Sequence, residues 1–246
     1  MAQTGAKIRL YVDADLRTGG DVMLGRDQAH YLFGVMRQSL GSHVLVFNGR
    51  DGEWLAEVTE ARKRAGGLVC REQTRPQTLP PDLWLCFAPI KKARTDFIAE
   101  KACEMGCRRL IPVLTRHTNT ERVNVARLTA HEVEAAEQCG LVSAPEVAEP
   151  VRLDRLLDTW PEGRQLMFCD ERLADGGTEA RLPGAPGDAP WAVLIGPEGG
   201  FAKEEADRLR GLPFAHPVAL GPRVLRADTA VVAALALWQM TLGDWR

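Results

Sequence analysis

The sequence predicts two domains, a small β-rich one followed by a larger α/β one on a mostly parallel sheet, and three observations carry that reading. Short apolar strands separated by turn residues fill the chain from Ile8 to Cys70. The segment Arg71 to Pro81 then holds Pro76, Pro80 and Pro81 among polar neighbours, and such a stretch neither pairs as a central strand nor continues a helix. From Leu83 onward strands alternate with helices, the pattern of a parallel sheet covered on both faces. The expected domains are residues 1–76 and 82–246.

In the first domain the expected strands are Ile8–Val12, His43–Phe47, Trp54–Glu60 and Leu68–Cys70, a small β-barrel signature with Asn48-Gly49-Arg50-Asp51-Gly52 as the central turn. One helix is expected from Asp27 to Met36, with Leu32, Val35 and Met36 on its buried face. Arg62-Lys63-Arg64 reads as a solvated basic turn. In the second domain the expected strands are Leu83–Ala88, Arg109–Leu114, Leu166–Cys169, Ala192–Ile195 and Pro217–Leu220. The expected helices are Ala93–Met105, Val125–Gln138, Leu153–Thr159, Lys203–Leu209 and Ala227–Leu242, with Gly106 as the C-cap of the first. Ala174 to Pro190, with four glycines and three prolines, reads as a mobile surface loop.

The chain has 246 residues, 45% of them hydrophobic, enough for two cores. A net charge of −2 leaves no whole-molecule field to attract nucleic acid, so RNA must be met by a local basic face. The first 81 residues carry 11 Lys/Arg against 9 Asp/Glu, whereas the remainder carries 20 against 24. The six cysteines have no zinc-ligand spacing, so reduced thiols and no metal are expected. Met1 to Leu10 lacks the apolar core of a secretory signal, and the longest apolar run, Ala230 to Trp238, is too short to span a bilayer. A cytoplasmic protein with no membrane partner is expected.

Two segments carry the functional signal. Ala192-Val193-Leu194-Ile195 runs into Gly196-Pro197-Glu198-Gly199-Gly200-Phe201 and then a helix start, and ligands of open α/β sheets bind at such strand ends. The turn matches neither the dinucleotide fingerprint nor a phosphate loop, and by itself a structural bend explains it as well as a ligand does. The next strand repeats the arrangement with Gly221-Pro222-Arg223-Val224-Leu225-Arg226, followed by Asp228-Thr229, which suit a helix cap. Arg223 and Arg226 stand at the positive end of a helix dipole and therefore call for an anion. Lys91, Lys92 and Arg94 pose the same question at another helix start, where backbone N–H groups favour phosphate, and Arg116 adds a cation after strand Arg109–Leu114.

Ordered motifs over nearly the whole chain resemble the RsmE family of the SPOUT superfamily. They are Lys91…Arg94…Asp96, Glu100-Lys101-Ala102-Cys103-Glu104-Met105-Gly106, Glu134-Ala135-Ala136-Glu137-Gln138-Cys139-Gly140, the Gly196–Phe201 turn and Leu220–Ala230, with His30, Val35, Met36, Arg37 and the turn after Phe47 in the first domain. The resemblance implies a PUA-like β-barrel followed by a SPOUT domain whose C-terminal chain threads a trefoil knot. It further implies a homodimer that methylates uracil N3 of one uridine in the 16S ribosomal RNA of the 30S subunit, with S-adenosyl-L-methionine as cofactor and no role for DNA.

Carried onto this chain, the cofactor pocket comprises Leu166, Met167 and Phe168, then Ile195, Gly196, Pro197, Glu198, Gly199 and Gly200, then Leu220, Gly221, Pro222, Val224 and Leu225. Arg226 and Arg116 become candidates for stabilising charge on the uracil oxygens, and Asp228 or Glu198 for accepting the N3 proton. Arg37, Lys91, Lys92, Arg94, Arg116 and Arg223 are the expected RNA contacts. Two positions depart from the family pattern: Asp228 stands where glutamate is usual, and Leu141 where arginine is usual. They motivate one alternative, a non-catalytic RNA-binding or ribosome-assembly protein on the same fold. A phosphate- or nucleotide-binding enzyme ranks below both, because no standard phosphate loop is present.

Overall fold

The computed structural model describes residues 6–119, 122–176 and 189–246, so the loop expected between Ala174 and Pro190 lies for the most part outside the described residues. Contacts divide the chain into two compact units, Met1–Leu79 with Ala136–Ala144, and Pro80–Ala135 with Pro145–Arg246. The return of a short later segment to the first unit has no counterpart in the sequence reading.

The first unit is a five-stranded sheet of β1 (Arg9–Tyr11), β2 (Asp21–Leu24), β3 (His43–Phe47), β4 (Glu53–Arg62) and β5 (Ala65–Arg75), in the order β1-β3-β4-β5-β2. Alternation places Val22 and Leu24, and Val44 and Val46, on one buried face with Leu10, Val58 and Leu68. The tip of the β4–β5 hairpin and its bulges lengthen both strands beyond the apolar pattern, and β5 runs to Arg75. The expectation that Arg71 onward leaves the sheet is therefore wrong by five residues: the ladder stops only where Pro76 removes an N–H.

The expected helix from Asp27 to Met36 is also different. A single α-turn, α1 (Arg26–Ala29), passes into a π-helical stretch, His30–Val35, closed by the Met36 N–H donating to the Tyr31 carbonyl at 2.9 Å. Wider π-turns rotate later residues off the original face. Leu32 stays buried while Val35 and Met36 face solvent.

A buried ionic knot fixes this unit. Glu53 is 4% exposed and accepts from Arg9 at 2.8 Å, Arg75 at 2.7 Å and Thr74 at 2.9 Å. Arg9 also donates to the carbonyls of Ala136, Glu137 and Leu141, which ties the Ala136–Ala144 segment down and places a cation at a helix C-terminus. Burial pushes the Glu53 carboxyl up, but the hydrogen bonds from Arg75, Arg9 and Thr74 outweigh it and hold the group below its ordinary value.

The second unit contains β6 (Leu83–Phe87), β7 (Arg109–Leu114), β8 (Glu146–Val147), β10 (Gln165–Cys169), β11 (Trp191–Ile195) and β12 (Ala215–Val218), all parallel in the order β12-β10-β11-β6-β7-β8, with β9 (Val151–Arg152) also on β7. Its helices are α2 (Lys92–Glu104), α3 (Val125–Cys139), α4 (Leu153–Asp158), α5 (Lys203–Arg210) and α6 (Ala227–Thr241). Leu85, Phe87, Met167 and Val193 pack with Ile98 and Ala102 of α2 and Val231, Leu235 and Trp238 of α6. On the other face Cys86, Leu166, Phe168 and Leu194 pack with Leu156 and Leu157 of α4 and Leu209 of α5. Burial on both faces explains why the strands read as continuous apolar runs.

The last strand sits two residues earlier than expected, at Ala215–Val218 instead of Pro217–Leu220. Pairing with β10 ends where the Asp170 N–H meets the Val218 carbonyl, and Ala219 is buried by packing without a ladder partner. No helix of the described residues is long and apolar enough to cross a membrane.

Replacing Glu53 by glutamine leaves Arg9 and Arg75 facing an uncharged group. Because the folded carboxyl titrates below its unfolded value, its stabilisation is full above the unfolded pKa and fades as pH falls through the folded one. Glu53→Gln is expected to destabilise the protein by about 3 kcal/mol at pH 7, with the difference shrinking progressively as pH falls below the unfolded carboxyl value of about 4.3, checked by chemical denaturation at pH 7 and at successively lower pH.

Candidate active site

Because the sheet is parallel, the C-terminal ends of its strands share one edge, and the loops there build the site. After β11 the Gly200 N–H donates to the Pro197 carbonyl at 2.9 Å, closing a tight turn with Gly200 at φ 69°. Glycine is required twice. A Cβ on Gly196 would lie 2.6 Å from the Phe201 ring, and one on Gly200 would lie 2.3 Å from Glu171 Oε1. Phe201 is itself held by an edge contact to Phe168. The Ala202 N–H donates to Glu205 at 3.0 Å, so α5 starts at once and keeps the turn short.

The second turn begins at Ala219, with Gly221 at φ 108°. Arg226 forms the N-cap of α6, and the Asp228 carboxylate accepts from the Thr229 N–H at 3.0 Å. A third segment, Cys169-Asp170-Glu171, closes the edge after β10, with buried Asp170 bound by Arg210 of α5.

These three segments enclose a cavity of about 350 Å³. Its apolar wall comes from Ile195, Val218, Leu220, Leu225 and Ala230, its tight backbone from Gly196, Pro197, Gly200 and Gly221, and its charged groups from Asp170, Glu171, Glu198, Arg223 and Arg226. An apolar pocket with few convergent polar groups is the usual form of a small-molecule site.

The structure gathers Ile195, Gly196, Pro197, Glu198, Gly200, Leu220, Gly221, Val224 and Leu225 from the expected cofactor set, together with Arg223 and Arg226. Others stand elsewhere. Leu166, Met167 and Phe168 are fully buried inside β10, so the wall is made by Cys169, Asp170 and Glu171 one step further on. A Cβ on Gly199 would face His117 at 3.5 Å, and Pro222 is exposed away from the lining. Arg116 donates its N–H to Glu205 and its guanidinium to Glu204, outside the cavity. Arg37 belongs to the first unit, where φ of 55° makes it the one non-glycine residue among those described in the left-handed region.

Arg94 is the largest surprise. Its guanidinium lies 2.6 Å from Glu198 and 3.7 Å from Asp228, so one cation on α2 bridges the first glycine turn and the start of α6. Expected to await RNA, it is already met by the protein's own carboxylates. Of the two departures from pattern, Asp228 still reaches Arg94, and Leu141 lies in the first unit with its carbonyl on Arg9.

A second cavity, of about 500 Å³, shares Pro197 and Glu198 with the first. Lys91, Lys92 and Asp96 line it from α2, His117 and Asn119 from the loop after β7, and Arg122, Asn124 and Arg127 from the start of α3. His117 Nδ1 lies 3.1 Å from the Gly200 carbonyl, linking that loop to the first turn. Sequence reasoning missed Glu171, Asn119, Asn124 and Arg127. Only Glu171 had a usable signal, its position just past an expected strand end.

Together these features define an α/β protein that binds a small ligand at the C-terminal edge of a parallel sheet. Residues 77–239 match the RNA methyltransferase domain family, and residues 24–65 the RNA methyltransferase PUA domain family. Ribosomal RNA small subunit methyltransferase E of Synechocystis is 30% identical across 93% of this chain and 76% of that protein, and the same-named Rickettsia conorii protein is 27% identical across 93% of each. Among solved structures, a Legionella pneumophila methyltransferase in complex with the bound cofactor SAM is 26% identical and superposes with a TM-score of 0.82 over 96% of this chain and 98% of that one. Ribosomal RNA small subunit methyltransferase E from Neisseria gonorrhoeae, bound to S-adenosyl methionine, shares the fold at TM-score 0.83 and 24% identity over 97% and 99%. The chain belongs to the RNA methyltransferase family, in its ribosomal RNA small subunit methyltransferase E branch.

Gly196→Ala forces a methyl group into the buried Phe201 ring. The expected cost is about 1–3 kcal/mol, read as a fall of several degrees in the unfolding midpoint. An unchanged midpoint contradicts the close packing of this turn.

Proposed function

We propose that this protein methylates N3 of the uracil of one uridine in 16S ribosomal RNA, within the 30S subunit, using S-adenosyl-L-methionine. The observation that carries the reading is the cavity enclosed by two glycine turns and the β10 strand end, with Arg94 bridging Glu198 of the first turn to Asp228 at the start of α6. Its residues fit the cofactor: Gly221 has nothing within 4 Å of the position a Cβ would take, the apolar wall suits a base and an aliphatic chain, and the Glu171 carboxylate suits a cationic group. When bound, that cofactor supplies an electrophilic methyl group and leaves as a neutral thioether.

The chain's own residues do the rest. Uracil N3 becomes nucleophilic only on losing its proton, so a base must stand at the meeting point of donor and acceptor. Glu198 lines both cavities and takes that proton, with Arg94 holding its carboxylate and Asp228 sharing the same cation. Arg226, at the cofactor cavity and without a carboxylate partner among the described residues, stabilises negative charge spreading to the uracil oxygens. Arg116, exposed and paired with Glu204, is assigned to RNA contact instead.

Watson–Crick pairing hides N3, so the target base is single-stranded or flipped out, with neighbouring phosphates gripped at the surface. Lys91, Lys92, Arg223 and, on the first unit, Arg37 are the proposed grips. The working form is a homodimer in the cytoplasm, a reading supported by the family resemblance.

The test is to incubate 30S subunits lacking the modification with protein and labelled cofactor and map the label by mass spectrometry. Label at N3 of one 16S uridine is expected, and label on another base overturns the assignment. Glu198→Gln is expected to lower the transfer rate by about 10²–10⁴-fold while cofactor affinity by calorimetry changes little. Equal loss of binding and rate would remove Glu198 from the chemical step.

A further inference from the structure

We infer that the larger of these two cavities receives the acceptor uracil, and that Arg127, oriented by Asp96, donates to uracil O4 and so distinguishes uracil from cytosine. The inference rests on the methyltransferase reading and extends it to the substrate side. The starting point is position. The larger cavity meets the cofactor cavity along Pro197 and Glu198, so a base seated in it brings its edge to the wall where the methyl group must be delivered. At about 500 Å³ it has the size of a small-molecule site.

The lining has the chemistry that a uracil edge requires. With N3 committed to methyl transfer, recognition falls on O2 and O4, which are both acceptors and take negative charge once the N3 proton has left. Donors are therefore needed, and Arg127, Asn119 and Asn124 supply them, while Lys91 and Lys92 stand beside them for flanking phosphate. Cytosine carries an amino donor in place of O4, and its N3 already holds a free lone pair. A site without selection would methylate cytosine readily. A guanidinium opposite the cytosine amino group sets donor against donor, which rejects the wrong base.

Arg127 is built to be rigid. Asn124 caps α3 by accepting the Arg127 backbone N–H at 3.0 Å. Its guanidinium is hydrogen-bonded to Asp96, which is 7% exposed on α2. One helical turn further along α3, His131 stands 3.6 Å from Asp96 and 3.2 Å from Glu100, so Arg127 and His131 meet Asp96 and Glu100 as a two-rung ladder between helices. A guanidinium has five donors, and one bond to Asp96 leaves others for the cavity that Arg127 lines. Arg127 is thus a specificity-determining residue, and Asp96 the residue that positions it.

The test compares wild-type protein and Arg127→Gln on RNA substrates carrying uridine, 2-thiouridine or 4-thiouridine at the target, sulfur being a weak acceptor. Arg127→Gln is expected to slow methylation of uridine by about tenfold or more, with cofactor affinity unchanged. The preference of the wild type for oxygen over sulfur is expected to collapse in the variant at position 4, and a collapse at position 2 alone, which cytosine shares, overturns the discrimination. A merely structural role would lower all three rates by one factor, and that outcome, like an unchanged rate on uridine, overturns the inference. If Arg127→Gln does not fold, Arg127→Lys carries the same comparison, since it keeps a cation beside Asp96 and loses the planar fork. Wild-type protein that leaves uridine unmodified would sink the methyltransferase reading itself, whereas wild-type activity with parallel losses sinks this inference alone.

Discussion

The geometry of the site hangs on one cation in a place that its own helix disfavours. Arg94 lies in the first turn of α2, at the positive end of the dipole, where a charge of that sign is locally unfavourable. Glu198 from the first glycine turn and Asp228 from the first turn of α6, directly after the second glycine turn, offset that cost and are fixed by it in return. Two loops that follow different strands thereby become two walls of one pocket. Arg94 is about a third exposed and Glu198 nearly half, so the bridge is partly screened by solvent and acts more by positioning the two segments than by stabilising the fold.

The parallel sheet supplies the frame for that bridge. Since β11 lies between β10 and β6, its glycine turn is flanked on one side by Asp170 and Glu171 and on the other by the start of α2. The same turn therefore serves two cavities, with Pro197 and Glu198 as their common wall. The two linings differ in kind: glycine backbone, apolar side chains, Glu171, Arg223 and Arg226 in the first cavity, and Lys91, Lys92, Asn124 and Arg127 in the second, which is the basis for proposing cofactor in one and acceptor in the other. The bulk of catalysis in such an arrangement is positioning, because a sulfonium methyl group needs only an aligned, deprotonated acceptor.

Much of this was legible in the sequence, and the failures have physical causes. The parallel core strands announced themselves as apolar runs because both faces are covered, and α2, α5 and α6 were placed within about two residues by caps and periodicity. The π-helical stretch at His30–Val35 was not legible, since its sequence carries an ordinary helical pattern and only the backbone shows the wider turn. β12 was misplaced because Ala219 is apolar and buried without being paired. In the site, glycines could be recognised from turn chemistry. The role of Arg94 could not, because its carboxylate partners are more than a hundred residues away in the chain.

A structure of the protein with S-adenosyl-L-methionine tests the central claim most directly. The account predicts density for the cofactor between the Gly196–Gly200 and Gly221–Arg226 turns, with its methyl group directed toward Glu198 and the Arg94 bridge intact. Cofactor seated instead among Lys91, Asn124 and Arg127 would contradict the account and exchange the roles of the two cavities.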